Sequence, residues 1–490
     1  MRSPFPATHS LAVTVLFGAL AGGMGWGIRG QYGHETGAMI AGVLVCLTLT
    51  LLVCPAAPAR TVLRAAAWGT VAIGFGGSMT YGQTVGLTHD RELVGNWGAL
   101  GWGMLGLAIK GGLWIGFAGL FLGMGLGGVR YRARDVALAM AGALVLCAAG
   151  IWLLNEPYEP AQRILPKIYF SDDWRWEPTA TLKPRREVWG GFLFALTGLA
   201  GYAGWRRDGL AVRLAGWGVL GGALGFPLGQ SLQAGHAWNL EYFRSGWWAN
   251  VDPLINWWNF METTFGATLG AVLGAGLWLN RSRIRVVDEP TPDLTAPLEV
   301  VLLAVHVTLL GMVEFSSVRF ADAVYDFGLL LGFLPVVLIA GGRWAPIVFL
   351  LPITALPICG KTLLNLAYEN RQISPALGWA WYVVLPLAVT AAAAVKLQRR
   401  VEISGNLLGS AVLRPVLLLA GWLYFGLNYA FFQFPWPWSP WTARTPNALI
   451  YSGCLAGLTW LAVRKSPAET AMTGAENRRG ITTRSAPRPR

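Results

Sequence analysis

A chain of 490 residues that is 54% hydrophobic and only 13% charged, with mean hydropathy +0.47, is excluded from the ordinary soluble globular class, where about a quarter of residues are charged. It belongs in a bilayer. The net charge of +13 does not point to nucleic acid, because the basic residues fall in short clusters between apolar stretches, where membrane orientation accounts for them.

Apolar stretches of the ~20 residues needed to cross about 30 Å of hydrocarbon recur from end to end. Their length predicts helices, since barrel strands would be segments of about ten residues with alternating polarity. The predicted fold class is all-α: a polytopic transmembrane helix bundle of about fourteen spans. They are placed at 10–28, 36–54, 63–82, 107–128, 136–154, 188–205, 212–230, 259–280, 296–314, 327–341, 344–360, 378–396, 412–432 and 447–463. The opening MRSPFPATHS leads directly into a full-length span and does not read as a cleaved leader. Cys46, Cys54, Cys147, Cys359 and Cys454 lie in or beside spans without Cys-x-x-Cys spacing, and read as small buried hydrophobes.

Alternate loops collect the cations: Arg60 and Arg64; Arg130, Arg132 and Arg134; Arg206, Arg207 and Arg213; Arg281, Arg283 and Arg285; Arg343; Lys396, Arg399 and Arg400; Arg464 and Lys465. The positive-inside rule makes those loops and both termini cytoplasmic, in an inner membrane of bacterial type. Residues 155–187 depart from the rule with six Lys or Arg and are expected to form a folded external loop. Four parts follow: a glycine-rich part with repeated hairpins (1–285), a linker (286–295), a second transmembrane part (296–464) and a disordered cytoplasmic tail (465–490).

One pattern recurs. Gly22-Gly23, six residues, Gly30-Gln31 is matched by Gly221-Gly222, six residues, Gly229-Gln230, with a looser copy from Gly76-Gly77 to Gly82-Gln83. A histidine follows each Gln: His34, His89 and His236. Each copy is expected to end an outward-going span, in like-oriented internal repeats, and Glu35 and Glu262 begin the returning spans of two of them. Dense glycine is explained by close helix packing. Gln and His beside a glycine at a helix end add an amide and a titratable group, a combination that binds polar solutes.

Arg29, Glu35, His89, Asp90, Arg91, Glu92, His236, Glu241 and Arg244 crowd the same predicted outer side. The histidines lie on separate loops without His-x3-His or His-Glu-x-x-His spacing, so no metal site is predicted. The sequence names no cofactor. Residues 96–128 would make one helix of about 50 Å, too long for the hydrocarbon. The expectation is an interfacial or re-entrant piece first and a span from Leu107, which puts Lys110 inside the outer half of the membrane, where it needs a partner. His306 sits mid-span, eight residues before Glu314.

No phosphate-binding loop or nucleophile elbow appears. The sequence therefore supports a transporter for a small polar or charged solute, with candidate binding residues Arg29, Gln31, His34, Glu35, Gln83, His89, Asp90, Lys110, Gln230, His236, Glu262 and His306. The alternative is a membrane-embedded transferase-like enzyme using the aromatic external loops on a lipid-linked or sugar-like substrate. The expected partners are the bilayer and a small polar solute or lipid headgroup, with no nucleic acid; oligomerisation is left open.

Overall fold

Ser10 opens the first helix by accepting a hydrogen bond from Val13 N at 3.3 Å, and the apolar, glycine-studded run behind it continues unbroken to Arg29. The same logic repeats along the chain: a polar cap, an apolar run, then a break at glycine, proline or a basic loop. The computed structural model describes residues 9–30, 32–79, 81–178, 184–285, 292–405, 407–432 and 441–464. Gln31, most of the linker, residues 433–440 of the last inter-helix loop and the expected tail lie outside them.

The helices of the first part are α1 (Leu11–Arg29), α2 (Glu35–Val53), α3 (Ala59–Gly74), the short α4 (Gly82–His89), α5 (Trp97–Leu126), α6 (Ala133–Leu154), α7 (Trp189–Trp205), α8 (Gly209–Trp238) and α9 (Trp257–Leu279). Then come α10 (Ala296–Phe315), α11 (Gly328–Gly341), α12 (Ala345–Glu369), α13 (Pro375–Ser404), α14 (Gly409–Phe432) and α15 (Thr445–Val463). No β-strand occurs among the described residues. Among the described residues, ten helices are long and apolar enough to cross a membrane, or up to eleven if the short helix Arg319–Tyr325 and α11, bent by 93°, are taken as one span. α3 and α7 are shorter than 18 residues, and α9, which carries Asn259 and Glu262, is not among the ten.

Two expectations are corrected. Residues 97–126 form one continuous 30-residue helix, about 45 Å long, with no re-entrant piece. Asn96 caps it by accepting from Ala99 N at 3.0 Å, and the surplus N-terminal turns are covered by α4 and by the loop after α6, where Trp102 Nε1 donates to Tyr169 O at 2.8 Å. Nor do the glycine-glutamine pairs all end outward spans. Gly229 and Gln230 lie inside α8, which runs on to Trp238 because Gln230 finds a buried partner in Thr88 of α4. Gly76 and Gly77 belong to a 3₁₀ turn that closes α3, while Gly82 and Gln83 open α4.

Glycine sets the packing of the first part. α1 lies against α9 with Gly22 facing Gly266 so closely that a Cβ on Gly22 would collide with the Gly266 carbonyl; on its other side a Cβ on Gly25 would lie 2.6 Å from Ala41 Cα of α2. α5 and α8 cross in the same way at Gly111 and Gly222. Such approach supplies the dispersion contact that holds helices together in lipid, where the hydrophobic effect between helices is absent. The second part packs directly on this core: α14 on α2 and α3, α15 on α1, and α11 on α3, where Trp68 Nε1 donates to Val336 O at 2.9 Å.

Gly22→Val is therefore expected to destabilise the full-length protein by about 1–3 kcal/mol, the usual range for overpacking. Gly216→Ala, at a position with no neighbour within 4 Å of an added Cβ, is expected to stay within about 0.5 kcal/mol of wild type. Thermal unfolding of the detergent-solubilised variants checks both, and equal midpoints would contradict the packing.

Candidate functional site

The close approach of α1 and α9 sets Arg29, the last residue of α1, beside Glu262, in the second turn of α9. Both side chains are almost completely buried, and Arg29 Nη2 lies 3.0 Å from Glu262 Oε1. Tyr81, delivered by the break between α3 and α4, accepts from Arg29 Nη2 and donates to Glu262 Oε1 at 3.1 Å. Three rings enclose the guanidinium, with centroids at 4.7 Å (Trp26), 5.1 Å (Tyr81) and 5.5 Å (Trp114). A Cβ on Gly30 would strike the Glu262 carboxylate, so the residue after Arg29 has to be glycine for the pair to close.

The other end of the guanidinium points outward. Arg29 Nη1 lies 3.0 Å from His34 Nδ1, and His34 is exposed. Arginine can only donate, so Nδ1 is the acceptor and the imidazole is neutral while this bond stands. Arg29 thus links a buried carboxylate to a surface histidine across the α1–α2 turn.

The second part meets the same turn. Gly33 has φ +85°, the left-handed region that favours glycine, and a Cβ there would lie 3.3 Å from Lys361 Nζ. Lys361 pairs with Glu314 of α10 at 3.3 Å. It stands where α12 changes its winding: the helix breaks at Leu351, contains Pro357 and passes into a π-helical turn at Leu364–Glu369. Such turns are frequent at functional sites. Glu35, the first residue of α2, lies within electrostatic reach of Arg29, Lys361 and Asp326, and His34 within reach of Arg185.

Lys110 forms a second buried centre. Its ammonium lies 2.6 Å from Glu187 Oε1 and donates to Thr84 Oγ1 at 2.6 Å. Glu187 also accepts from Phe170 N at 3.0 Å and from Ser171 Oγ at 2.9 Å. The partner comes from the end of the loop between α6 and α7, and the lysine stays inside the protein. The two centres share neighbouring segments, since Tyr81 and Thr84 flank the start of α4 and Trp114 lies one turn after Lys110 on α5.

The remaining candidates are dispersed. Gln83 Oε1 accepts from Arg185 N at 3.1 Å, while Gln230 Nε2 donates to Thr88 Oγ1 at 2.7 Å. His89 Nδ1 lies 2.9 Å from Val85 O. His236 Nε2 lies 2.8 Å from Asp252 Oδ1, and its ring stacks on Trp257 with centroids 4.5 Å apart. His306 bonds Tyr325 Oη at 2.6 Å between α10 and the short helix before α11 and packs on Phe349, both in the second part. The three glutamine-associated histidines do not come together as metal ligands. Among the described residues, the group of acids and ligating side chains close enough to share an ion is Asp90, Asp172 and Glu177. Sequence reasoning missed Tyr81, Glu187, Glu314 and Lys361 as partners; only Tyr81, next to Gly82-Gln83, carried a local signal.

Lys110→Met leaves the Glu187 carboxylate buried and unpaired, a loss expected to cost about 3–5 kcal/mol. Lys110→Met with Glu187→Gln removes both charges, keeps an acceptor for Phe170 N while the new amide NH2 can donate to Ser171 Oγ, and is expected to recover most of that loss. Thermal midpoints of the two variants check this, and a double variant no better than the single one would contradict it.

No protein-family model matches this chain, and comparison with curated proteins and with solved structures returned no match.

Proposed function

We propose that the chain is a multi-pass transporter for a small polar or charged solute, bound on the outer side of the membrane at the α1–α2 turn. The observation that carries this reading is the position of that turn between two ion pairs, Arg29–Glu262 from the first part and Lys361–Glu314 from the second. Ionisable groups within a bundle are costly to bury and by default mark a substrate or ion pathway. Transporter sites commonly lie where two helical parts meet, at broken helices, and Lys361 stands on such a helix. The reading takes fourteen crossings with both termini cytoplasmic, which places the turn outside. It draws on Arg29, His34, Glu35 and Glu262, with Gln31 as the adjoining polar residue and Lys110 as the support of α4. The glycine-glutamine copies are retained as traces of a repeat that has diverged in its helix ends.

A membrane-embedded enzyme working at the external face is the second reading. It is favoured by the His236–Asp252 pair, in which a carboxylate oxygen lies 2.8 Å from an imidazole nitrogen beside Trp257 and Phe243, with Trp248 packed on Phe243, a surface suited to a sugar or lipid headgroup.

The deciding experiment applies a panel of amino acids, sugars, organic acids and inorganic ions to proteoliposomes and reads uptake or transport current. Transport predicts flux of one solute class in wild type, at least a ~10-fold loss in Glu262→Gln, and none in His236→Gln. Flux unchanged in both Glu262→Gln and Lys361→Met would sink the reading. Turnover of a lipid-linked substrate without flux, lost in His236→Gln, would establish the enzyme instead.

A further inference from the structure

The loop between α6 and α7 folds back onto α4. Asp172 N donates to Gln83 O at 3.2 Å, and Glu177 N donates to Asp173 O at 3.0 Å, which closes the turn that carries Glu177. Asp90 follows α4 directly, with its N–H on Gly86 O at 2.9 Å. These three carboxylates each bring one oxygen to within 4.8 Å of the others.

Asp172 is 7% and Glu177 9% exposed, and Asp172 Oδ1 and Glu177 Oε1 are enclosed without a hydrogen-bond partner. Buried polar atoms are nearly always satisfied, so two orphaned carboxylate oxygens in one cluster call for an occupant. The acids around them add to the repulsion: Asp173 and Asp90 act on Asp172, and Glu92 on Glu177. Arg175, in the same loop, is committed to Asp173 through two bonds of 2.9 and 2.6 Å. His89 Nδ1 is 3.7 Å from Asp90 Oδ1 but lies at hydrogen-bond distance from Val85 O. Burial, reinforced by Asp90 and Glu177, pushes the Asp172 carboxyl up to about 6. Gly86 keeps the space open, since a Cβ there would fall 2.6 Å from Asp90 Oδ2.

The geometry points to a binding site for a hard divalent cation of the calcium type, held by Asp90, Asp172 and Glu177. Two oxygens on one calcium, each at about 2.4 Å, lie at most about 4.8 Å apart. Three carboxylates supply up to six oxygens, and the partly open Asp90 side leaves room for water to complete the shell. An all-oxygen donor set selects calcium, magnesium or manganese over zinc or copper, and a cage of several protein carboxylates suits calcium better than magnesium, which keeps most of its waters. The ion would pin the external loop to α4, the helix whose Thr84 and Thr88 hold Lys110 and Gln230. This inference does not depend on the transporter reading.

The test uses full-length protein purified in detergent and stripped with EDTA, titrated calorimetrically with CaCl2 and separately with MnCl2. One saturable calcium site is expected, with a rise in thermal midpoint on binding. Glu177→Gln and Asp172→Asn should weaken calcium by about 100-fold, since affinity follows the charge count of the ligands. Asp90→Asn, at a half-open position that tolerates change, should weaken it at least ~10-fold while leaving the midpoint in EDTA equal to or above that of wild type, because a like-charge contact is removed. If a buried variant fails to fold, Asp90→Asn decides. Folded wild type that binds neither calcium nor manganese saturably, or binding unchanged in Asp90→Asn and Glu177→Gln, overturns the site.

Discussion

The pair of Arg29 and Glu262 is the constraint around which the first part is arranged. Taking two charges out of water costs several kcal/mol per ion, recovered only when geometry and additional hydrogen bonds are good. Here the recovery is distributed: a direct ion pair, Tyr81 bonded to both partners, and three rings around the guanidinium. The contributors arrive on four segments: Arg29 and Trp26 on α1, Glu262 on α9, Tyr81 just before α4 and Trp114 on α5. The arrangement therefore depends on α1 and α9 touching at Gly22 and Gly266, on α3 ending in a 3₁₀ turn so that Tyr81 can enter, and on glycine at position 30.

Lys110 and Glu187 extend the same principle to the outer loop. A lysine inside the bundle selects a carboxylate from the end of the loop, and that carboxylate in turn fixes the backbone at Phe170 and the side chain of Ser171. The loop then lies against α4 and brings Asp172 and Glu177 toward Asp90. Buried electrostatics organise this end of the bundle step by step from its core. On the opposite flank, Lys361 and Glu314 bring the second part to the α1–α2 turn, so the two parts meet where charge is concentrated.

The membrane class and the helical architecture were legible because span length and glycine spacing follow from bilayer thickness and backbone contact alone. Arg29, His34 and Glu262 were legible as candidates because charge next to a glycine-rich helix end is rare in such a composition. Their mutual contact was not, since 233 residues separate Arg29 from Glu262 and no local pattern encodes which helices cross. Periodicity misled at Gln230, where a polar residue inside a helix was read as the helix end; a tertiary partner, Thr88, allows the helix to continue. Likewise the surplus length of α5 argued for a break that the covering loop makes unnecessary. Glu187, Asp172 and Glu177 sit in an irregular loop whose fold is set by what it packs against, and histidine counting drew attention away from the carboxylates.

The most direct test of the central claim, that the α1–α2 turn is an outward-facing site between two ion pairs, is thiol accessibility at position 34. The five native cysteines are buried and can be replaced, leaving His34→Cys as the only thiol. In sealed, oriented vesicles the account predicts reaction with a membrane-impermeant maleimide from the face opposite the termini, slowed by the transported solute. Reaction from the side of the termini, or a rate that no solute in the panel alters, would contradict it.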